Sequence, residues 1–149
     1  LDRLELDACA KEAAMTATRL LGAKNPPTMK CPAVIENGVV GDLLDFLSSS
    51  FLGDEIEKGR SMLMGKLGEK IFSDQLSLID DGLLKGGYAT RPFDAEGTRS
   101  QTTEVVKNGV FSRILFDQPT ALRMKAVSTG NSSRSIQAPP GIGLTNFSM

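Results

Sequence analysis

The sequence contains no histidine among its 149 residues. This absence excludes Ser-His-Asp and Cys-His catalytic sites, and every histidine-based zinc site, within this segment. Any chemistry that remains has to rest on carboxylates, Lys, Ser, Cys or Tyr. The most common hydrolytic side-chain sets are therefore excluded before any fold is considered.

Cysteine, long apolar runs and an excess of either charge are also lacking. Cys9 and Cys31 are too few for a disulfide framework, and they predict free thiols in a reducing cytoplasm. No apolar run approaches the roughly eighteen residues that a membrane span needs, and residues 1–5 do not form a secretory signal. With 17 basic and 18 acidic residues, the net charge of -1 provides no general attraction to DNA or anionic lipid.

Helix formers dominate the first third of the chain. Residues Asp7–Leu21 are rich in Ala, and their apolar residues recur at steps of three and four, which predicts a helix that ends at Gly22. After the Pro26-Pro27 connector, a short strand is predicted over 31–35 and a second helix over Val39–Leu52. The apolar stripe of this second helix, predicted to lie in the core, consists of Leu43, Leu44, Leu47 and Phe51.

Strand patterns follow the two helices. Thr102–Val106 and Val110–Phe116 are predicted to form a hairpin, because Asn108-Gly109 lies between two alternating apolar runs. The remaining predicted elements are a helical or turn segment over 55–60, short β runs over 71–73 and 76–79, a turn at 80–82, a long ordered loop over 82–100 and a helical turn over 119–124. The predicted fold class is α+β, with an Ala-rich helix, then a helix followed by β-hairpins of a mostly antiparallel sheet.

Several short segments, taken in order, resemble the TldD/PmbA family, whose members are also called modulators of DNA gyrase. Besides the Ala-rich helix, the segments are Lys66-Leu67-Gly68-Glu69, Leu78-Ile79-Asp80-Asp81-Gly82, Arg91 to Gly97, Val106 to Val110, Leu115-Phe116-Asp117, Ser128 to Asn131 and Thr145-Asn146-Phe147. By this resemblance, residues 1–25 are the closing helix of a preceding domain, and residues 29–149 are the N-terminal part of the family's C-terminal domain. Since the chain opens with Leu1 rather than Met, we expect a fragment of a longer protein.

The resemblance implies a cytoplasmic metalloprotease that is built from two kinds of subunit and cleaves extended peptides, including antitoxins and microcin precursors. In this family a TldD-type subunit binds zinc through a His-Glu-x-x-x-His helix, and a PmbA/TldE-type subunit completes the particle. Here Asp45 stands at the first histidine position, Phe46 at the glutamate position and Ser50 at the second histidine position. The resemblance therefore implies a non-catalytic PmbA/TldE-type chain without a cofactor of its own. We expect zinc on a TldD-like partner, in a heterodimer, with a homodimer as the other possibility.

Two loops offer groups that could bind a peptide. Asp94, Glu96 and Gly97 could line a peptide groove, or the two carboxylates could cap loop amides or a neighbouring helix. Ser128, Thr129, Gly130 and Asn131 could hydrogen-bond an extended peptide backbone, or they could be ordinary loop formers. Asp80-Asp81-Gly82 has no further oxygen ligands at calcium-loop spacing, so a turn is predicted rather than a cation site.

Three functions are compatible with the sequence. The leading hypothesis is a subunit that contributes assembly and peptide holding to a TldD/TldE-type peptidase. The alternative is a regulator without peptidase activity that binds DNA gyrase or a toxin–antitoxin component; direct nucleic-acid binding is not expected at this charge. The third is a hydrolase that uses Ser or carboxylates, although no Gly-x-Ser-x-Gly elbow accompanies Ser48-Ser49-Ser50.

Overall fold

A computed structural model describes residues 5–149 of the chain. The helices are α1 (Leu6–Arg19), α2 (Asn37–Ser48), α3 (Gly53–Glu57) and α4 (Gln118–Arg123), and a 3₁₀ turn covers Ser49–Phe51. The strands are β1 (Leu78–Asp81), β2 (Thr102–Lys107), β3 (Val110–Phe111), β4 (Ser132–Ser133), β5 (Gly141–Ile142) and β6 (Phe147–Ser148). This architecture confirms the α+β prediction. The predictions that concern residues 1–4 lie outside the described residues.

The chain divides into two compact units, Leu1–Val34 and Ile35–Met149. In the first unit, α1 confirms the predicted Ala-rich helix, and none of its residues is buried. The strand predicted over 31–35 is wrong: this segment is irregular and exposed, and Pro32 has no N–H to offer a partner strand. Within residues 5–149, none of the helices combines the length and the apolar character that crossing a membrane requires.

The second unit is built on a four-stranded antiparallel sheet with the order β3-β2-β1-β6. The predicted hairpin is confirmed, with Lys107 paired to Val110 across the turn. Asn108 and Gly109 both have positive φ, at 47° and 80°, which is the backbone that a two-residue hairpin turn needs. β3 ends at Phe111, so the alternation predicted up to Phe116 does not persist. A separate two-stranded sheet joins β4 to β5.

The core lies between the sheet and the segment that follows α2. Its fully buried side chains include Phe51, Val105, Phe111 and Leu115. The Phe51 ring packs edge-on against Phe111 with ring centroids 5.8 Å apart. Burying apolar area of this kind contributes about 1.5–3 kcal/mol for each large side chain, so this cluster stabilises the frame that carries the remaining elements.

Three local predictions need correction. The α2 stripe was predicted to lie in the core, but Leu43 and Leu47 are exposed, and Phe51 alone is fully buried. The turn predicted at Asp80-Asp81-Gly82 begins at Gly82, two residues later, because both aspartates belong to β1. The β run predicted over 71–73 is irregular, since its neighbour Lys70 makes just an isolated bridge to Val110.

Candidate functional site

The residues that the resemblance assigns to the zinc-motif positions lie on and directly after α2. Asp45 and Phe46 are exposed, and the Phe46 side chain is 81% exposed. Ser50 is half-buried in the 3₁₀ turn, where its carbonyl accepts a hydrogen bond from Ser61 Oγ at 2.7 Å. The Asp45 carbonyl accepts one from Ser48 Oγ at 2.6 Å, which holds the last turn of the helix. A rigid helix therefore presents an aromatic ring and a carboxylate outward.

These side chains do not fit a catalytic zinc ion. Such an ion takes three protein ligands, usually His, Cys or carboxylate, and a base that deprotonates its water. Asp45 supplies one carboxylate, while the Phe46 ring can neither bind a metal nor accept a proton. Among residues 5–149, no group of three or more His, Cys, Asp or Glu side chains is placed to hold a metal ion.

Asp94 organises its own loop. Its Oδ1 accepts hydrogen bonds from the Glu96 and Thr98 N–H groups, both at 2.9 Å. The Glu96 carboxylate accepts one from the N–H of Gln118, the first residue of α4, at 2.9 Å. In these contacts the two carboxylates cap loop amides and the start of a neighbouring helix. Asp94 is buried, whereas Glu96 and Gly97 are exposed and can meet another molecule.

The segment from Ser128 to Asn131 is bound to the chain's own backbone. Thr129 Oγ1 accepts from the Phe116 N–H at 2.7 Å and donates to Asn131 Oδ1 at 2.7 Å. Gly130 packs so closely that an added Cβ would lie 2.6 Å from the Arg99 carbonyl oxygen. Ser128, Gly130 and Asn131 are buried, and Thr129 is half-buried. Most hydrogen-bonding groups of this segment are therefore already bonded to other groups of the chain.

The fold brings these two predicted peptide-binding loops together. Asp94 Oδ2 accepts a hydrogen bond from the Ser132 N–H at 2.9 Å, and the Ala95 N–H donates to the Ser132 carbonyl at 3.0 Å. The loop around Asp94 and the segment ending at Ser132 therefore form one continuous wall. Peptide binding by this wall stays a prediction.

The hydrogen-bonding role of Asp80 was missed in the sequence, where this residue was assigned to a turn. Asp80 is 2% exposed, its Oδ2 accepts from Asn131 Nδ2 at 2.6 Å, and its Oδ1 accepts from the Thr145 N–H at 2.7 Å. A buried carboxylate persists because hydrogen bonds replace its lost hydration. Strand alternation carried the signal, since Leu78 and Asp80 are two residues apart and share the inner face of β1.

One surface ion pair has a clear electrostatic effect. Arg123 of α4 donates to Glu57 of α3 through Nε and Nη2, both at 2.8 Å. This hydrogen bonding from Arg123 lowers the pKa of Glu57 below its ordinary value of 4.5, and it raises the pKa of Arg123. The pair links the two short helices on the outside of the frame.

Comparison with known protein families agrees with the segments that carry the resemblance and with the antiparallel sheet. The sequence profile described as the PmbA/TldA metallopeptidase C-terminal domain matches residues 28–149. The chain belongs to the PmbA/TldD family. The resemblance inferred from the sequence is therefore confirmed at the level of the family.

The similar proteins are considerably longer than this chain. An uncharacterized protein of Methanocaldococcus jannaschii is 40% identical over 107 residues, 71% of this chain and 26% of that protein. A metalloprotease of Methanothermobacter thermautotrophicus is 32% identical over 147 residues, 98% of this chain and 32% of that protein. The chain spans about a quarter to a third of the length of these curated relatives.

Solved structures show the same fold. A candidate modulator of a DNA gyrase from Thermotoga maritima superposes with a TM-score of 0.81 at 31% identity, over 87% of this chain and 30% of that chain. Other members of the PmbA/TldD family that match carry the names PmbA, TldD homolog and TldE. Because PmbA, TldD and TldE names all occur among the matches, the names do not distinguish between them for this chain.

Proposed function

We propose that this chain belongs to a PmbA/TldE-type subunit of a two-subunit metallopeptidase. In this function it contributes assembly and peptide holding, while a TldD-like partner carries zinc and hydrolyses the peptide bond. The observation that supports the proposal is the exposed Phe46 ring, at the position that the resemblance assigns to the general base, in a chain without histidine. A general base contributes about 10²–10⁴-fold to rate, and phenylalanine contributes none of it.

The wall formed by the Asp94 loop and the segment up to Ser132 gives the subunit a fixed surface. Of the predicted peptide-binding residues, Glu96 and Gly97 are exposed on it, whereas Asp94 and Asn131 hold it in place from behind. A preformed surface of this kind loses little conformational entropy when it binds an extended chain. This property suits a subunit that holds substrate for a catalytic partner.

Metal content tests the proposal directly. The purified chain is dialysed against a chelator and then against buffer, and its zinc is measured by elemental analysis. A TldD-like protein with an intact His-Glu-x-x-x-His helix is treated in the same way as the control. We expect the control to retain about one zinc per chain and this chain to retain essentially none. Retention of about one zinc per chain by this protein would overturn the proposal.

Peptide cleavage and co-purification separate the remaining alternatives. We expect no cleavage by the chain alone, and this result would exclude a hydrolase based on Ser or carboxylates. We expect cleavage when a TldD-like partner is added. Co-purification of a TldD-like protein from the native cell supports the subunit role. Gyrase subunits without such a protein would support the regulator instead, although a net charge of -1 offers no electrostatic attraction to the DNA that gyrase binds.

A further inference from the structure

The chain contains two Asn-Gly pairs, Asn37-Gly38 at the start of α2 and Asn108-Gly109 in the hairpin turn. Asparagine is chemically labile, and a following glycine favours its deamidation, because glycine has no Cβ to hinder its nitrogen and its backbone turns freely. The two pairs share this local chemistry, so a difference in their reactivity has to come from the fold. This chemistry is independent of the proposed function.

Gly38 is exposed, and an added Cβ would have nothing within 4 Å, so solvent reaches this residue. The hydrogen bond from the Val40 N–H to the Glu36 carbonyl, at 3.0 Å, closes the first turn of α2. Among the described residues, the Gly38 N–H bonds to Asn37 Oδ1 alone, at 2.8 Å, which places the side-chain amide beside the nitrogen that can attack it. Glu36 makes no side-chain capping bond, so the first turn opens at low cost.

Gly109 is buried, and its backbone is hydrogen-bonded on both sides. Its N–H donates to the Leu76 carbonyl at 2.8 Å, and its carbonyl accepts from the Ile71 N–H at 3.0 Å. The preceding Asn108 is also held, because its N–H donates to Ser77 Oγ at 3.1 Å. Attack by the Gly109 nitrogen therefore requires the packed turn to open and these hydrogen bonds to break.

We propose that Asn37 is a site of spontaneous deamidation and that the hairpin protects Asn108 from the same reaction. The Gly38 nitrogen loses its proton to hydroxide and forms a bond to Asn37 Cγ, while the bond from Cγ to the side-chain nitrogen breaks. This nitrogen takes a proton from water and leaves as ammonia. A second water then opens one of the two C–N bonds of the cyclic succinimide, which gives aspartate or isoaspartate. Water is consumed, ammonia is released, and nothing is oxidised or reduced.

Both products change the start of α2. Aspartate at position 37 places a negative charge at the positive end of the helix dipole, which stabilises the helix. Isoaspartate instead adds a carbon atom to the backbone, which displaces the first turn. The helix that presents Asp45 and Phe46 therefore occurs in more than one covalent form once the reaction has taken place.

Peptide mass spectrometry on the folded chain tests the proposal. The purified chain is incubated at mildly alkaline pH, and samples taken over time are digested at mildly acidic pH, where deamidation during handling is slow. The mass gain from amide to acid is followed at Asn37 and at Asn108 in the same samples. A parallel incubation in guanidinium chloride removes the fold, and the variant Gly38→Ala, checked by circular dichroism, is compared with the unaltered chain.

We expect Asn37 to deamidate about tenfold faster than Asn108 in the folded chain, because reaction at the turn requires hydrogen bonds to break first. In guanidinium chloride the two rates should agree within about twofold, since neither pair is then held by the fold. Gly38→Ala should slow the reaction at Asn37 by about fivefold, because alanine favours the closed helical turn. The same variant should leave the rate at Asn108 unchanged.

Equal rates at the two pairs in the folded chain, or a faster rate at Asn108, would contradict the proposal. The proposal also fails if Asn37 stays intact in the folded chain and reacts in guanidinium chloride, because α2 would then protect the pair. A Gly38→Ala chain with normal helix content and an unchanged rate at Asn37 would show that opening of the first turn does not control the reaction. The zinc measurement, and with it the proposed function, is unaffected by any of these results.

Discussion

The polar groups around Asp80 are buried and hydrogen-bonded within the chain, whereas the outer face of α2 is exposed. Asp80 is buried, and both of its carboxylate oxygens accept hydrogen bonds from elsewhere in the chain. Asp45 and Phe46 are exposed, and although their carbonyls accept hydrogen bonds from Ser48 and Ser49, their side chains form none with the described residues. Buried polar groups with full hydrogen bonding fix a geometry, whereas exposed groups on a rigid helix remain free for another molecule. The comparison therefore separates the frame from the surface that it presents.

The segments that resemble the family most clearly fall largely on the frame side of this comparison. Asp80, Asp94 and Asn131 all belong to them, and each bonds to chain segments far away in sequence. Their contribution is to orient loops and the edge strand. Under the proposed function, the surface of α2 is where a catalytic and a non-catalytic member differ, because a change there costs the frame little.

The largest effect is expected from Asp80→Ala. Its loss leaves the Thr145 N–H without its partner and removes one acceptor from Asn131, so the free energy of unfolding should fall by about 2–4 kcal/mol. Chemical denaturation measures this change. Asp74→Ala is the control, because that side chain is 75% exposed, and it should change stability by less than about 0.5 kcal/mol. Equal effects of the two substitutions would break the distinction between frame and surface.

The second largest loss of stability is expected at the hairpin turn. Gly109 has a φ of 80°, and an added Cβ would lie 2.5 Å from the Phe72 carbonyl oxygen. Gly86 has a similar φ of 78° but nothing within 4 Å, so it is a matched control. Gly86→Ala should cost about 1 kcal/mol for the left-handed backbone, and Gly109→Ala about 2–3 kcal/mol because the clash adds to it. If thermal unfolding shows the same cost for both, close packing under the turn contributes nothing.

Local signals made part of this molecule predictable. The Asn108-Gly109 hairpin and the α1 helix follow from turn chemistry and periodicity within a few residues, and the family resemblance required no more than short segments in order. Burial along α2 was not predictable in this way. The periodicity of Leu43 and Leu47 was right for a helix, although α2 ends at Ser48 and Phe51 lies in the 3₁₀ turn that follows. Which of these side chains is covered depends on what packs against it.

The site was less predictable than the fold for a related reason. Asp80 bonds to residues 51 and 65 positions away, and no spacing rule links them. The capping role of Glu96 was considered, yet its partner Gln118 is 22 positions further along the chain. Such pairs become visible when the antiparallel sheet has brought the segments together.

The smallest effect is expected from the surface pair of Glu57 and Arg123. Because hydrogen bonding from Arg123 lowers the pKa of Glu57 in the folded chain, the pair stabilises the fold above the ordinary pKa of 4.5, and this contribution disappears as the pH falls through the lowered value. Glu57→Gln should therefore lower the Tm slightly at pH 7, by less than either substitution above, and this loss should shrink as the pH falls below 4.5. Glu104→Gln, which removes a pair within one strand, is the control. A Glu57→Gln effect that grows as the pH falls would contradict the assignment, and a loss as large as that of Asp80→Ala would show that surface polar contacts support the frame as strongly as buried ones.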